Sequence, residues 1–186
     1  NKASSSIEVP NIITNYGLNA IGQGRADLRY FCLGRGNTPS KPEMTSLENY
    51  ITGSQEASSE RIYSNISIKP YWVRREFYYR FPEGSLEGDF SEIGIGGQDA
   101  AQNGSNVFSR ALIRDLNGNP TTITVLPDEW LDVHYFLTYY LPSEDVVGSF
   151  VLNGKTHFYT VRPAELDSQG TRWTPSNRPN SAVNRA

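Results

Sequence analysis

Residues 71–81 and 131–141 most constrain what this chain can fold into, because side-chain character alternates in both with a period of two. In the first, Val73, Arg75, Phe77, Tyr79 and Phe81 fall on one face, and Trp72, Arg74, Glu76, Tyr78 and Arg80 on the other. In the second, Leu131, Val133, Tyr135, Leu137, Tyr139 and Leu141 share a face. A helix would scatter either set around its axis, whereas a strand gathers it on one side. Two further runs, 146–152 and 155–161, are separated by Asn153-Gly154. Asn-Gly supplies the positive φ angles of a two-residue hairpin turn, so these runs predict a hairpin.

Shorter runs complete the pattern. Strands are expected at 28–33, 89–95, 107–114 and 121–126, with the turn Asp115-Leu-Asn-Gly-Asn119 reversing the chain between the last two. Before them, 11–22 spaces Ile12, Tyr16, Leu18 and Ile21 as one face of a short helix, which Gly22 and Gly24 end. The polar stretch 38–64 predicts a long surface excursion with one short helix near 47–50. Many short strands with little helix predict a mainly β fold, an antiparallel β-sandwich of jelly-roll or Ig-like type. The domain is expected over 11–161, between an extended N-terminal arm at 1–10 and a Pro-rich C-terminal arm at 162–186. Such arms suit a subunit that grips its neighbours.

Composition narrows the functions. The 186 residues include 11 Tyr, 8 Phe and 3 Trp, side chains that suit half-buried sheets and interfaces. A net charge of −3, with scattered arginines, argues against nucleic acid as a partner, since phosphate binding needs a clustered basic surface. No apolar stretch approaches the roughly 18 residues of a membrane span, so no membrane partner is expected. The single Cys32 excludes an internal disulfide and fits a buried thiol in a chain folded in a reducing cytoplasm.

Each candidate for chemistry has a plainer structural reading. His134 and His157 would need to converge with further ligands to hold a metal, and otherwise read as sheet-surface histidines. Ser109 lies mid-strand, with no Gly-x-Ser-x-Gly elbow to expose a nucleophile. Ile93-Gly-Ile-Gly-Gly97 lacks the Lys-Ser/Thr of a phosphate loop and is expected to have no helix after it, reading as a strand end with close backbone packing. Asp128, Glu129 and Asp132 fit a polar turn before a strand better than a glycosidase pair. The 115–119 loop lacks the distal Glu of a calcium site. Arg74, Arg75 and Arg80, interleaved with aromatics, suggest cation–π and interface contacts. No catalytic residue, metal or cofactor is therefore expected, and the chain reads as a non-enzyme.

The order of several segments carries a resemblance. They are Asn11-Ile-Ile-Thr-Asn-Tyr-Gly-Leu-Asn-Ala-Ile-Gly22, Arg74-Arg-Glu-Phe-Tyr-Tyr-Arg-Phe81, Phe90-Ser-Glu-Ile-Gly-Ile-Gly-Gly97, and the long block from Phe108 to Tyr135 that includes Asn-Pro-Thr-Thr-Ile-Thr-Val-Leu-Pro-Asp-Glu-Trp. Together they resemble small tailed-bacteriophage and prophage structural proteins of the tail, collar and fibre-attachment type. The resemblance implies a virion subunit without enzymatic activity, assembled in the bacterial host cytoplasm. It further implies that its partners are other phage virion proteins and copies of itself in a homo-oligomer with cyclic symmetry. The expected role is a tail, collar or baseplate component joining fibres or neighbouring proteins to the tail or neck. The alternatives are a capsid decoration protein and a carbohydrate-binding receptor-recognition module. Trp72, Tyr78, Trp130, Tyr140 and Trp173 are the expected interface anchors, because buried aromatics dominate binding hot spots.

Overall fold

A computed structural model describes residues 6–25, 27–54, 57–65, 67–140 and 144–161. The expected C-terminal arm, Trp173 and residues 1–5 lie outside them, and residues 6–10 have no regular secondary structure. Among these residues the fold is mainly β and antiparallel, with two short helices. In chain order the elements are β1 (Ile12–Ile13), α1 (Asn15–Gly22), β2 (Tyr30–Gly34), β3 (Tyr50–Gly53), β4 (Ser59–Asn65), β5 (Trp72–Phe81) and β6 (Gly88–Phe90). There follow β7 (Glu92–Gly96), α2 (Gln98–Asn103), β8 (Val107–Leu112), β9 (Ile123–Val125), β10 (Leu131–Tyr140), β11 (Val146–Leu152) and β12 (Lys155–Val161). They form two compact units, one of residues 6–59 and 77–134, the other of 60–76 and 135–161. A three-stranded sheet is ordered β10-β5-β4.

The larger unit is built on a five-stranded sheet ordered β1-β8-β7-β2-β3. Its two faces differ by alternation. On one, Phe31 of β2 packs against Tyr79 and Phe81 of β5, with ring centroids 5.7 and 6.2 Å apart. The Tyr79 hydroxyl, buried among these rings, donates to the Leu28 carbonyl. On the other, Cys32, Leu47, Ala100 and Val107 form a second cluster beneath Tyr50. Covered on both sides, β8 is buried along its whole length. Each fully buried aromatic here contributes roughly 1.5–3 kcal/mol.

The alternating segments behave as the sequence predicts. Val73, Phe77, Tyr79 and Phe81 are buried, and β11 pairs with β12 in continuous register from Val146↔Val161 to Leu152↔Lys155. Asn153 and Gly154 both take positive φ at its turn, 51° and 72°.

Elsewhere tertiary contacts override the local signal. The expected helix over 11–22 begins only at Asn15, because Ile12 and Ile13 pair with Arg110 and Ser109 as an edge strand. Thr14 then caps it, accepting from Gly17 N at 3.1 Å while its hydroxyl donates to Val107 O at 2.6 Å. The helix expected near 47–50 is absent, since the Glu48 and Asn49 N–H groups donate to the Glu92 carboxylate and Tyr50 opens a strand. The 38–64 excursion is thus partly sheet, carrying β3 and β4. A helix, α2, does follow Gly97, contrary to expectation; its six residues are too short to show a period. The strand expected at 89–95 breaks at Ser91 into β6 and β7, with Ser91 Oγ donating to Gly36 O at 2.8 Å. The 115–119 turn closes only an Arg114↔Pro120 bridge, and Pro120 has no N–H to extend a ladder. So β9 pairs with β6 and not with β8.

Candidate functional site

Two places depart from the rule that apolar groups lie inside and charges outside. The first is in the larger unit. Glu92 and Arg110 sit on the same face of adjacent strands, since Glu92 opposes Leu112 and Gly94 opposes Arg110. Both side chains are 0% exposed, and Arg110 Nη2 approaches Glu92 Oε2 at 2.7 Å. Glu92 also accepts from the backbone N–H of Gly36 (2.9 Å), Glu48 (3.1 Å) and Asn49 (2.7 Å). Arg110 Nη1 donates to Thr38 O at 2.9 Å and to Ser40 Oγ at 3.2 Å. The pair therefore clamps the segment between β2 and β3 onto the sheet. Its surroundings leave no space for a ligand: a Cβ on Gly36 would lie 2.6 Å from Glu48 Cβ and from the Glu92 carboxyl carbon. Cys32 lies on the same face, and burial, followed by the charge of Glu92, pushes its thiol well above the usual range. It is a poor nucleophile.

The second place is the β11–β12 hairpin of the smaller unit, which pairs with no other strand among the described residues. Opposed residues share a face. One face carries Val146, Phe150, Leu152, Tyr159 and Val161, partly covering one another: Phe150 stacks on His157 at 5.4 Å and tilts against Tyr159 at 6.4 Å. The other face carries Val147, Ser149 and Val151 beside Thr160, Phe158 and Thr156. There Phe158 is 84%, Val147 73% and Val151 69% exposed. A two-stranded ribbon with both faces apolar gains little from water and is marginal alone. Exposed apolar patches of this kind mark interaction surfaces.

Of the interface residues expected from sequence, Trp72, Tyr78, Trp130 and Tyr140 are described, and they sit on β5, on β10 or just before it. In the smaller unit, Trp72 is half-buried under the Arg74 guanidinium at 5.4 Å. That guanidinium also covers the Phe136 ring at 5.7 Å and donates through Nε to Thr138 Oγ1 at 3.0 Å. Tyr140, at the end of β10, is 68% exposed. In the larger unit, the half-buried Tyr78 donates to Asp132 at 2.8 Å and meets the edge of His134 at 4.9 Å. Arg80 grips the same carboxylate through Nε and Nη2, both at 2.6 Å. The Arg80 hydrogen bond holds the Asp132 carboxyl below its usual range, while burial and then Asp132 raise the Tyr78 hydroxyl. Trp130 is 52% exposed.

The remaining candidates scatter. His134 rests on Tyr78 and His157 on Phe150, and no group of three or more metal-ligating side chains occurs among the described residues. Ser109 is buried mid-strand. In the 115–119 turn, the Asp115 carboxylate accepts from the backbone N–H of Asn117 and Asn119, and the Asn119 bond chiefly holds its pKa down. The glycine-rich 93–97 run turns its glycines toward the cover: a Cβ on Gly94 would sit 2.8 Å from Cys32 Sγ. Beyond Gly97 lies a depression of about 180 Å³ lined by Tyr16, Asp27, Gln98, Asp99 and Asn106, an acidic lining that disfavours phosphate. No helix among the described residues is long and apolar enough to cross a membrane. No protein-family model, curated protein or solved structure matches the chain.

Sequence reasoning missed the Glu92–Arg110 clamp. Its signal was present: Arg110 is a lone charge within the apolar run Val-Phe-Ser-Arg-Ala-Leu, and such a charge must find a partner.

Proposed function

We propose that this chain is a non-enzymatic structural subunit of a tailed-bacteriophage virion, a tail, collar or baseplate component that joins fibres or neighbouring proteins to the tail or neck. One observation carries the reading: the β11–β12 hairpin exposes Phe158, Val147 and Val151 to solvent, and no other strand among the described residues pairs with it. A free monomer gains nothing from such a surface, whereas an assembling subunit buries it on a neighbour. The resemblance of the segment order to small phage structural proteins supports assigning it to such a particle. The polar clamp of Glu92 and Arg110 supports a scaffold role, because its hydrogen-bonding groups are spent on each other and on one loop.

A carbohydrate-binding receptor-recognition module is the second reading, favoured by Tyr140, 68% exposed at the end of β10, since exposed aromatic rings stack on sugars. Mass spectrometry of gradient-purified phage particles from a host carrying this sequence tests the first. The expected result is the chain in several copies per particle, with gold-labelled antibody at the tail or neck. Its absence from particles, together with saturable binding on a glycan array, would replace the structural reading by the second.

A further inference from the structure

We infer that a second copy of this chain covers the Phe158 face of the hairpin, through a two-fold contact in which Phe158 of each copy seats over Ser149 of the other. The inference rests on the assembly reading above and names its interface.

The face is a grid of two rows. Along β11 run Val147, Ser149 and Val151; opposite them on β12 run Thr160, Phe158 and Thr156. The central pair joins the largest side chain of the grid to the smallest, a knob beside a hole. The flanking pairs, Val147 with Thr160 and Val151 with Thr156, are near equal in size and similar in shape. A two-fold axis parallel to the strands, midway between them and above the face, carries β11 of one copy over β12 of the other. That single operation places each Phe158 over the partner's Ser149 and each valine over the partner's threonine. The contact is isologous, so it closes at two copies. Two sheets stacked this way pack about 10 Å apart, a gap that a phenylalanine entering over a serine fills.

Charge and area agree. The six residues include no ionisable group, so two copies meet without like-charge repulsion. With Phe158 at 84%, Val147 at 73% and Val151 at 69% exposure, these three side chains offer on the order of 400 Å² per copy, so two copies bury less than the roughly 1,200 Å² of a standard interface, the range of weak, concentration-dependent contacts. The opposite face suits a second copy less well. Lys155 and His157 lie on it, and its aromatic rings already cover one another.

The test is the mass of the full chain by light scattering and sedimentation over a wide concentration range, for the native sequence and three variants. The native chain should show a concentration-dependent dimer, or assemblies built from dimers. Phe158→Glu and Ser149→Phe should each weaken association about 30-fold or more, as central hot-spot changes do, without altering the circular dichroism spectrum. The double swap F158S/S149F exchanges knob and hole and should restore association. A native chain monomeric at every concentration overturns the inference, as does a Phe158→Glu variant that associates like the native chain. Failure of the swap after loss in both single variants overturns the two-fold seating. The chain found in particles while Phe158→Glu self-associates normally would leave the virion reading standing and remove this interface. A restored swap in a chain absent from particles would do the reverse.

Discussion

The clamp at Glu92 and Arg110 and the ribbon at 146–161 invert each other. In the clamp two charges lie at 0% exposure, held by hydrogen bonds to each other and to the loop above them. In the ribbon, phenylalanine and valine side chains lie in water. Burial of charge is tolerable only where the partners are complete, and exposure of apolar surface only where something else covers it. The clamp is thus finished within one chain, and the ribbon is not. The lesson is that departures from ordinary burial separate into two kinds: those satisfied internally stabilise the fold, and those left open point to a partner.

Breaking the clamp should produce the largest effect. Glu92→Ala leaves Arg110 buried without its carboxylate and should cost about 3–5 kcal/mol in urea unfolding. Hydrogen exchange at the Gly36, Glu48 and Asn49 amides should rise with it. A double replacement sharpens the point. A simple buried ion pair exchanged for two apolar residues recovers most stability, but E92M/R110M should stay about 2–3 kcal/mol below the native chain. The reason is that the three loop N–H groups still lose their acceptor. Full recovery would show that the loop is held by packing alone.

In the ribbon the effects are smaller and local. Gly154→Ala puts a Cβ at φ 72° and should cost about 1–2 kcal/mol, seen as faster exchange of β11–β12 amides with the larger unit's amides unchanged. Phe158→Ala should move the unfolding midpoint of dilute monomer by less than about 0.5 kcal/mol, although a buried phenylalanine such as Phe77 costs about 3–5 on the same change. A large loss from Phe158→Ala would mean that the ribbon is packed within its own chain.

The smallest effect concerns acid. Asp132 is held below its ordinary pKa in the folded chain, so its contribution is complete above the unfolded value and fades as pH falls through the folded one. Asp132→Asn should therefore lower the neutral plateau slightly, by less than about 1 kcal/mol for so exposed a pair, and flatten the acid limb so that the two proteins converge at low pH. Acid titrations of both proteins followed by circular dichroism check this. Identical acid limbs would remove the Arg80–Asp132 pair from the acid response.

How much was legible in advance varies along the chain, and the variation has a cause. Alternation over 72–81 and 131–140, and the Asn153-Gly154 turn, were readable because period and φ preference are properties of neighbouring residues. Burial of Phe77, Tyr79 and Cys32 was readable for the same reason. Illegible were the pairing of β9 with β6, the capture of Glu48 and Asn49 by Glu92, and the conversion of Ile12–Ile13 to an edge strand. Each of these joins residues at least 33 positions apart, as Phe90 of β6 and Ile123 of β9 show. The aromatic anchors were legible as residues, but not whether they would end half-buried under Arg74 or exposed like Tyr140. The sequence by itself determined a β chain, its longest strands, its sharpest turn and its buried thiol, because those follow from local periodicity and backbone preference. Only the tertiary structure decided which strands pair, which charge is swallowed and which apolar face stays open, because those depend on what distant segments bring to the same place.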